Sequence, residues 1–419
     1  MSGGRPKRKA VTDTETKAKK ARGETELGDG LVWRDIGDGK GIGVSGACPL
    51  MALISDCLEG RTKIAGFDID FTVIKTASGR KFAIGSNDWE FWDEKVPEKL
   101  RELHKDGYRV VFFTNQAGIE KGKVTPQSFR DKAEAIIKEL EIPVLVFAST
   151  GTSQYRKPSS CMWDHFVENF NNGVEVDKKK SIYVGDAAGR AKEWAPGKPK
   201  DFSCSDRMFA ANIGVKFSTP EEFFYNEAAA KFSWGSLDPD AFLAKNPAIT
   251  KANDKSSFAS KAQELVMLVG PPASGKSTFR QRYLEPHGYV AVNRDTLGTA
   301  EKCLKVAKEA ISSGKSVVVD NTNPSASARA PFIKLAKDKG IPCRCFWLQT
   351  PLDLAHHLNL FRQNQTEGKC RRVPDVGYNV FKKNFEEPKS TEGFSVTKVD
   401  FKPRFDSITD ERLFKQWTV

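Results

Sequence analysis

Short apolar runs recur along the chain, each closing on a polar residue and each followed by a stretch of helical periodicity. The runs T-K-I-A-G-F-D (62–68), Y-R-V-V-F-F-T (108–114), V-L-V-F-A (144–148) and S-I-Y-V-G-D (181–186) predict strands. Near-continuous apolar strands alternating with amphipathic segments predict βα units around a parallel sheet. A second series follows in L-V-M-L-V-G (265–270), Y-V-A-V-N (289–293), S-V-V-V-D (316–320) and C-R-C-F-W-L (343–348). Between the two series, K-N-P-A-I-T-K-A-N-D-K-S-S-F-A-S-K-A (245–262) is polar and marks a boundary. The pattern therefore predicts an α/β protein of two units, 31–244 and 263–419, with a linker at 245–262 and a tail at 1–30. A length of 419 residues agrees, being too long for one ordinary core. Open α/β sheets place their chemistry beyond the carboxyl ends of the strands, so the polar residues closing these runs are the candidates.

Composition narrows the class. No run approaches the roughly 18–20 apolar residues of a membrane span, and the N-terminus has no apolar signal core, so neither membrane insertion nor secretion is expected. The eight cysteines are scattered. Cys343 and Cys345 alternate on a predicted strand and no second close pair completes a zinc site, which predicts reduced thiols. The net charge of +12 favours a polyanionic partner. Residues 1–26 carry eight Lys or Arg against four acids. The clusters R-P-K-R-K (5–9) and K-A-K-K-A-R (17–22) predict a disordered arm for nuclear import or nucleic-acid contact, a solubilising tail being the alternative.

Two places carry chemistry. In I-A-G-F-D-I-D-F-T (64–72), a strand conformation puts Asp68 and Asp70 on one face and Ile69 on the other. Like charges this close raise each other's pKa unless a cation or proton lies between them. That predicts a metal and phosphoryl site, the alternative being an Asx-rich turn at a strand end. The stretch G-P-P-A-S-G-K-S-T (270–278) fits GxxxxGK[ST] between a strand and a helix. Backbone N–H groups from Gly270 through Ser274 and Gly275 to Thr278 can wrap a phosphate, Lys276 can neutralise it, and Ser277 can ligate Mg²⁺.

Asp295 and Asp320 close the next two strands and are expected above the same sheet edge, their roles as base or metal-shell carboxylate undivided by pattern alone. Residues 355–374 predict a helix and then a cationic lid, from which Arg362, Lys369, Arg371 and Arg372 could close over a transferring phosphoryl group. A solvated surface is the alternative. His356 and His357 lack matched metal partners and are expected to pack or face solvent.

Longer strings extend both sites: F-F-T-N-Q-A-G-I (112–119), Y-R-K-P (155–158), M-W-D-H-F (162–166), V-G-D-A-A-G-R (184–190), D-F-S-C-S-D-R-M-F-A-A-N (201–212), N-R-D-T-L-G (293–298) and D-N-T-N-P (320–324). With F-D-I-D-F-T and the phosphate loop, in this order, the chain from about residue 35 onward resembles the eukaryotic polynucleotide 5′-kinase/3′-phosphatase family. The resemblance implies a haloacid-dehalogenase-like phosphatase followed by a P-loop kinase. It makes Asp68 the nucleophile that forms an aspartyl-phosphate, and Asp70 the general acid and then base.

By the same resemblance Thr114 would hold a phosphoryl oxygen, and Lys157 would bridge phosphate and nucleophile. Mg²⁺ would be held by Asp68, Asp70 and Asp186, one contact being a backbone carbonyl. In the second unit Asp295 would be the base for the 5′-hydroxyl, with Arg294 beside it. Lys276 and Ser277 would serve ATP and Mg²⁺, Arg362 would be the lid arginine, and Asp320 would lie near the nucleotide phosphates. Residues 369–372 do not follow the family closely and stay outside the catalytic set.

The implied partners are DNA with 3′-phosphate or 5′-hydroxyl termini at nicks, gaps or ends, an import receptor and ligase-containing repair complexes. A nuclear monomer without membrane contact is expected. The forkhead-associated domain that opens animal members is replaced by the basic tail, so recruitment through phosphorylated scaffolds is not expected. A fused small-metabolite phosphatase and kinase would carry both motifs, but the charge and the long strings favour a polymer substrate. A scaffold with decayed sites would rarely spare Asp68, Asp70, Lys157, Asp186, Lys276, Ser277 and Asp295 together.

Overall fold

The computed structural model describes residues 30–37, 46–254 and 256–418; the basic clusters at 5–9 and 17–22 lie outside them. The first unit contains β1 (Leu31–Ile36), β2 (Leu50–Ser55), β3 (Lys63–Phe67), β4 (Ile74–Lys75), β5 (Glu90–Phe91), β6 (Tyr108–Asn115), β7 (Leu145–Ser149), β8 (Ile182–Val184) and β9 (Lys216–Ser218). Its main sheet runs β1-β2-β7-β6-β3-β8-β9, and β4 and β5 form a separate hairpin. The pairs from β7 to β9 are parallel, whereas β1–β2 and β2–β7 are antiparallel. The apolar runs read from sequence are the central strands, and Phe67, Val111, Phe113, Val146 and Tyr183 are fully buried. Helices cover the faces. The one over Pro126–Leu140 starts where Thr125 Oγ1 accepts from Ser128 N and Pro126 fills the first turn.

The second unit has β10 (Leu265–Val269), β11 (Val290–Val292), β12 (Val317–Val319), β13 (Cys343–Leu348) and β14 (Ser395–Val399). They pair in the order β11-β12-β10-β13-β14, all parallel. The antiparallel β1–β2 extension and the edge strand β14 were not foreseen. β14 is short and mostly exposed, so its S-V-T-K-V pattern carries little apolar signal.

One expectation is corrected. Asp68 and Asp70 do not sit in a continuous strand, because β3 stops at Phe67. Asp68 N still reaches Val184 O at 2.9 Å, but the backbone then curls around Ile69 O, which accepts from both Val73 N and Ile74 N. Phe71 takes a left-handed φ of 60° in that turn. The linker at 245–262 lies along the second unit as a packed strap. Asp254 accepts from Arg404 and Tyr283, Phe258 packs edge-on against Phe346, and Ser260 N donates to Tyr289 Oη. Just before it, Leu237, Phe242 and Leu243 pack with Leu354, Leu358 and Phe414 of the second unit. All eight cysteines are free thiols, as expected. No helix among the described residues is long and apolar enough to cross a membrane.

The two units are joined by the chain's last described residues. Trp417 stacks on Trp234 with ring centroids 4.1 Å apart. Asn212 exchanges hydrogen bonds with Trp417 N and O at 2.7 and 2.9 Å, and Gln416 Nε2 donates to Ser160 Oγ at 2.8 Å. His357, 1 % exposed, supports this end: its Nε2–H donates to Phe414 O at 2.8 Å. A carbonyl can only accept, so Nδ1 is bare and takes the Thr418 Oγ1 proton across 3.0 Å.

Burial pushes the His357 pKa down to about 4. The unfolded value lies near 6.5, so the unfolded chain takes up the proton first as pH falls. The stability this site contributes is whole above about pH 6.5 and is lost as pH falls toward about 4, roughly 3 kcal/mol in all. His357→Gln keeps an N–H for Phe414 O but cannot titrate. Denaturant melts of the variant should therefore lose less stability across this window than the parent does; parallel losses would show that His357 is not the group responsible.

Candidate active sites

Strand β3 lies between β6 and β8, so their carboxyl ends bring Asp68, Thr114 and Asp186 to one edge. Lys157 arrives from the loop after β7 and is fixed through its backbone: its N–H donates to Asn115 Oδ1 at 2.9 Å, and Asn115 Nδ2 donates to its carbonyl at 3.2 Å. The side chain, 3 % exposed, is saturated. Its ammonium lies 2.9 Å from Asp68 Oδ1 and 2.7 Å from Asp206 Oδ1, and donates to Tyr183 Oη at 2.8 Å. Burial alone would lower its pKa, but Asp206 and Asp68 outweigh that and raise it.

Asp206, at the start of the helix Ser205–Ile213, is buried and accepts from Ala187 N at 3.0 Å. The glycine of V-G-D is needed here, because a Cβ on Gly185 would stand 2.5 Å from the Asp206 carboxylate.

Asp68, Asp186 and Asp206 each offer an oxygen within 4.8 Å of the others. One ammonium serves three carboxylates. Burial, offset in part by Lys157 and reinforced by Asp206, pushes Asp68 up to about 6. Burial, with Asp206 and Asp68 nearby, holds Asp186 well above the carboxylate range. An under-neutralised cluster of hard oxygen donors fits Mg²⁺. Asp206 was missed at the sequence level, although its string was noted; the signal was an acid placed at a helix start directly after a loop.

The Asp70 side chain stands apart from this cluster. The turn after Phe67 sends it toward β6, where Gln116 Nε2 donates to its Oδ2 at 2.8 Å and Lys132 Nζ lies 3.1 Å from its Oδ1. Gln116 also donates to Thr114 Oγ1 at 3.0 Å, tying acid and threonine together. All three residues of T-N-Q thus converge on the site. Lys132, buried on the helix Pro126–Leu140, gave no sequence signal beyond helical spacing. Arg156, next to Lys157, has an Nη1 that is buried and lacks a hydrogen-bond partner among the described residues.

The second unit opens a cleft of about 1420 Å³ above β10, lined by Ser274, Gly275, Lys276, Ser277 and Thr278 together with Arg294, Asp295, Asp320 and Arg362. Gly275, at φ 92°, and Ala273, at φ 56°, put the loop in the left-handed turns that aim successive N–H groups inward. Gly270 starts this loop, where a Cβ would stand 2.8 Å from Ser274 Oγ. Lys276 Nζ folds onto Gly270 O at 3.0 Å and Pro271 O at 2.6 Å. Burial lowers its pKa to about 8, with Asp320 and Asp295 opposing and Arg362 assisting.

Asp295 is exposed at the head of the short helix Arg294–Leu297, its N–H capped by Asn293 Oδ1 at 2.8 Å. Asp320, 2 % exposed, accepts from Arg280 Nε at 2.9 Å, while its Oδ1 has no hydrogen-bond partner among the described residues. A buried carboxylate oxygen in the cleft that Ser277 also lines is a hard donor suited to a nucleotide-bound Mg²⁺. Of the four cations expected in a lid, Arg362 lines the cleft; Lys369, Arg371 and Arg372 do not. His356 stacks on Tyr378, and His357 is buried with its ring hydrogen-bonded to Phe414 O.

With this geometry in place, similarity to known proteins divides the chain the same way. The profile of the family described as polynucleotide kinase 3 phosphatase matches residues 63–224, and that of an AAA domain matches residues 265–388. A bifunctional polynucleotide phosphatase/kinase from Schizosaccharomyces pombe is 39% identical over 346 residues, covering 82% of this chain and 81% of that protein. A protein named as a putative bifunctional polynucleotide phosphatase/kinase from Acanthamoeba polyphaga mimivirus is 32% identical, covering 80% and 84%. A polynucleotide 3′-phosphatase from Saccharomyces cerevisiae is 26% identical across 40% of this chain and 89% of its own length.

The Lys157 ammonium is the counter-charge that the buried acids share, so its removal has a thermodynamic signature. In metal-free buffer Lys157→Met should cost about 3–5 kcal/mol, the usual range for stranding a buried partner. Added Mg²⁺ should recover part of that loss by neutralising the same carboxylates. Unfolding curves with chelator and with Mg²⁺ check this; an unchanged midpoint in chelator would contradict the charge balance.

Proposed function

Because the chain belongs to the bifunctional polynucleotide phosphatase/kinase family, we propose that its two sites work on opposite termini of one DNA break. The protein is a polynucleotide 3′-phosphatase and a polynucleotide 5′-hydroxyl kinase that processes DNA ends. The phosphatase unit is assigned to 31–244 and the kinase unit to 263–419. The observation that carries the mechanistic reading is Lys157 seated between Asp68 and Asp206.

In the phosphatase, an Asp68 carboxylate oxygen attacks phosphorus of the 3′-phosphate while the bond to the 3′-oxygen breaks. Asp70, oriented by Gln116 and Lys132, gives its proton to that leaving oxygen. The resulting aspartyl-phosphate is then hydrolysed by a water that Asp70 deprotonates, which releases phosphate and restores both carboxyl groups. Thr114 donates to a phosphoryl oxygen, and Lys157 keeps Asp68 ionised and offsets the incoming charge. Mg²⁺, held by Asp68, Asp186 and Asp206, would supply further charge neutralisation.

In the kinase, Asp295 takes the proton of the 5′-hydroxyl as that oxygen attacks the γ-phosphorus of ATP and the bond from this phosphorus to the β–γ bridging oxygen breaks, releasing ADP. The loop amides from Gly270 to Thr278 and Lys276 would hold the ATP phosphates, and Ser277 and Asp320 would hold the Mg²⁺ that accompanies them. Arg362 offers fixed donors to the phosphoryl group in flight, and Arg294, next to the base, would contact the acceptor strand. A nuclear location with import through the basic tail and delivery of repaired ends to a ligase complete the reading.

A nicked duplex bearing one 3′-phosphate and one 5′-hydroxyl, incubated with ATP and Mg²⁺, separates the sites. Asp68→Asn should abolish phosphate removal and leave phosphorylation intact. Asp295→Asn should lower kinase kcat by roughly 10²–10⁴-fold and spare the phosphatase. Full phosphatase activity in Asp68→Asn would sink the assignment, as would sugar phosphates or nucleosides outcompeting the oligonucleotide.

A further inference from the structure

The basic stretch from Lys369 to Arg372 has no part in either mechanism, yet its position is specific. Past Arg362 the helix Leu352–Gln365 ends in a turn closed by Gly368 N donating to Gln363 O at 2.8 Å. That turn leaves the kinase cleft and seats on the phosphatase loop that leads to Lys157. Gln363 Nε2 donates to Thr152 O at 2.8 Å. Gly368, at φ 78°, lies so close to Gln154 that a Cβ would stand 2.2 Å from Gln154 Oε1.

The loop continues to Arg156, whose buried Nη1 lacks a hydrogen-bond partner among the described residues. Burial depresses the Arg156 guanidinium, and Arg372 is the charged group that depresses it most. The carboxylate on the other side, Glu120, is engaged by Thr152 N at 2.9 Å and Thr152 Oγ1 at 3.1 Å. Lys369 and Arg371 are exposed and Arg372 is half-buried. The turn thus carries Lys369, Arg371 and Arg372 next to the loop that bears Arg156, and cations gathered there form a site that an anion stabilises.

We propose that Lys369, Arg371 and Arg372, carried on the kinase unit, bind phosphodiester groups of the DNA strand whose 3′ end occupies the phosphatase site. The inference rests on the reading of the Asp68 centre as a 3′-phosphatase. A strand whose terminal phosphate is fixed at Asp68, beside Lys157, would leave the site near the 152–157 loop on which this turn rests. Backbone contacts away from the reacting bond act equally on ground and transition states, so they set KM and leave kcat alone. They also make binding salt-dependent. The kinase unit thus completes the phosphatase's DNA surface, although its own cleft opens elsewhere.

The test is the full chain carrying K369Q, R371Q and R372Q together. Three activities are measured on one preparation: 3′-phosphate removal from an oligonucleotide, hydrolysis of p-nitrophenyl phosphate, and 5′-phosphorylation. The oligonucleotide phosphatase KM should rise about 10-fold and its salt dependence should become shallower by about two to three charges. Phosphatase kcat, p-nitrophenyl phosphate hydrolysis and the kinase KM values should stay unchanged. An unchanged phosphatase KM, a loss confined to the kinase, or an equal loss on p-nitrophenyl phosphate would overturn the proposal. Failure of the 3′-phosphatase reading itself shows separately, as activity surviving Asp68→Asn.

Discussion

One ammonium group among three acids, Asp206 buried and Asp68 and Asp186 half-buried, sets the terms for the first unit. Lys157 can neutralise Asp68 and Asp206 only because its backbone is clamped to Asn115 and its third donor is used by Tyr183. Each clamp comes from a different strand end, β6 for Asn115 and β8 for Tyr183, so the parallel sheet is what makes the charge arrangement possible. Burial raises the cost of every unpaired charge, and the same burial makes the remaining carboxylate excess a strong cation site. The glycine before Asp186 and the helix start at Asp206 follow from fitting a third acid into this space.

The kinase cleft solves a related problem by different means. Its phosphate site is built mainly from backbone amides in left-handed turns, which need no counter-charge when empty. Lys276 accordingly rests on backbone carbonyls, where a carboxylate would otherwise be required. The units meet through side chains that serve neither chemistry: Trp417 on Trp234, Asn212 with Trp417, Gln416 on Ser160, and Gln363 on Thr152. Several of these contacts land on the loops and helix that carry Lys157 and Asp206, so the orientation of the kinase unit and the shape of the phosphatase rim are not independent.

Much of this was legible in the sequence, for reasons that can be named. Strands buried on both faces leave continuous apolar runs, and the phosphate loop is a local string, so β3, β6, β7, β8 and the Gly270–Thr278 loop could be read directly. Asp68, Thr114 and Asp186 were found because strand ends announce themselves. Asp206, Gln116 and Lys132 were not, because their roles arise from contacts between segments far apart in the chain, and a lysine or acid on a helix looks like any solvated residue. The departure of Asp70 from the Asp68 face was hidden for the opposite reason: alternation holds only while the strand lasts, and the ladder ended one residue too early. The strap at 245–262 read as a linker because its anchors, Asp254 and Phe258, are single residues in a polar stretch.

The central claim is that Asp68, made nucleophilic by Lys157, carries the phosphoryl group during 3′-phosphate removal. The most direct measurement is rapid acid quenching of the protein with an oligonucleotide labelled in its 3′-phosphate, followed by mapping of the labelled peptide. The account predicts transient label on Asp68, decaying as free phosphate appears, and none in Asp68→Asn. Label on Asp70, or free phosphate released with no labelled protein at any time, would contradict it.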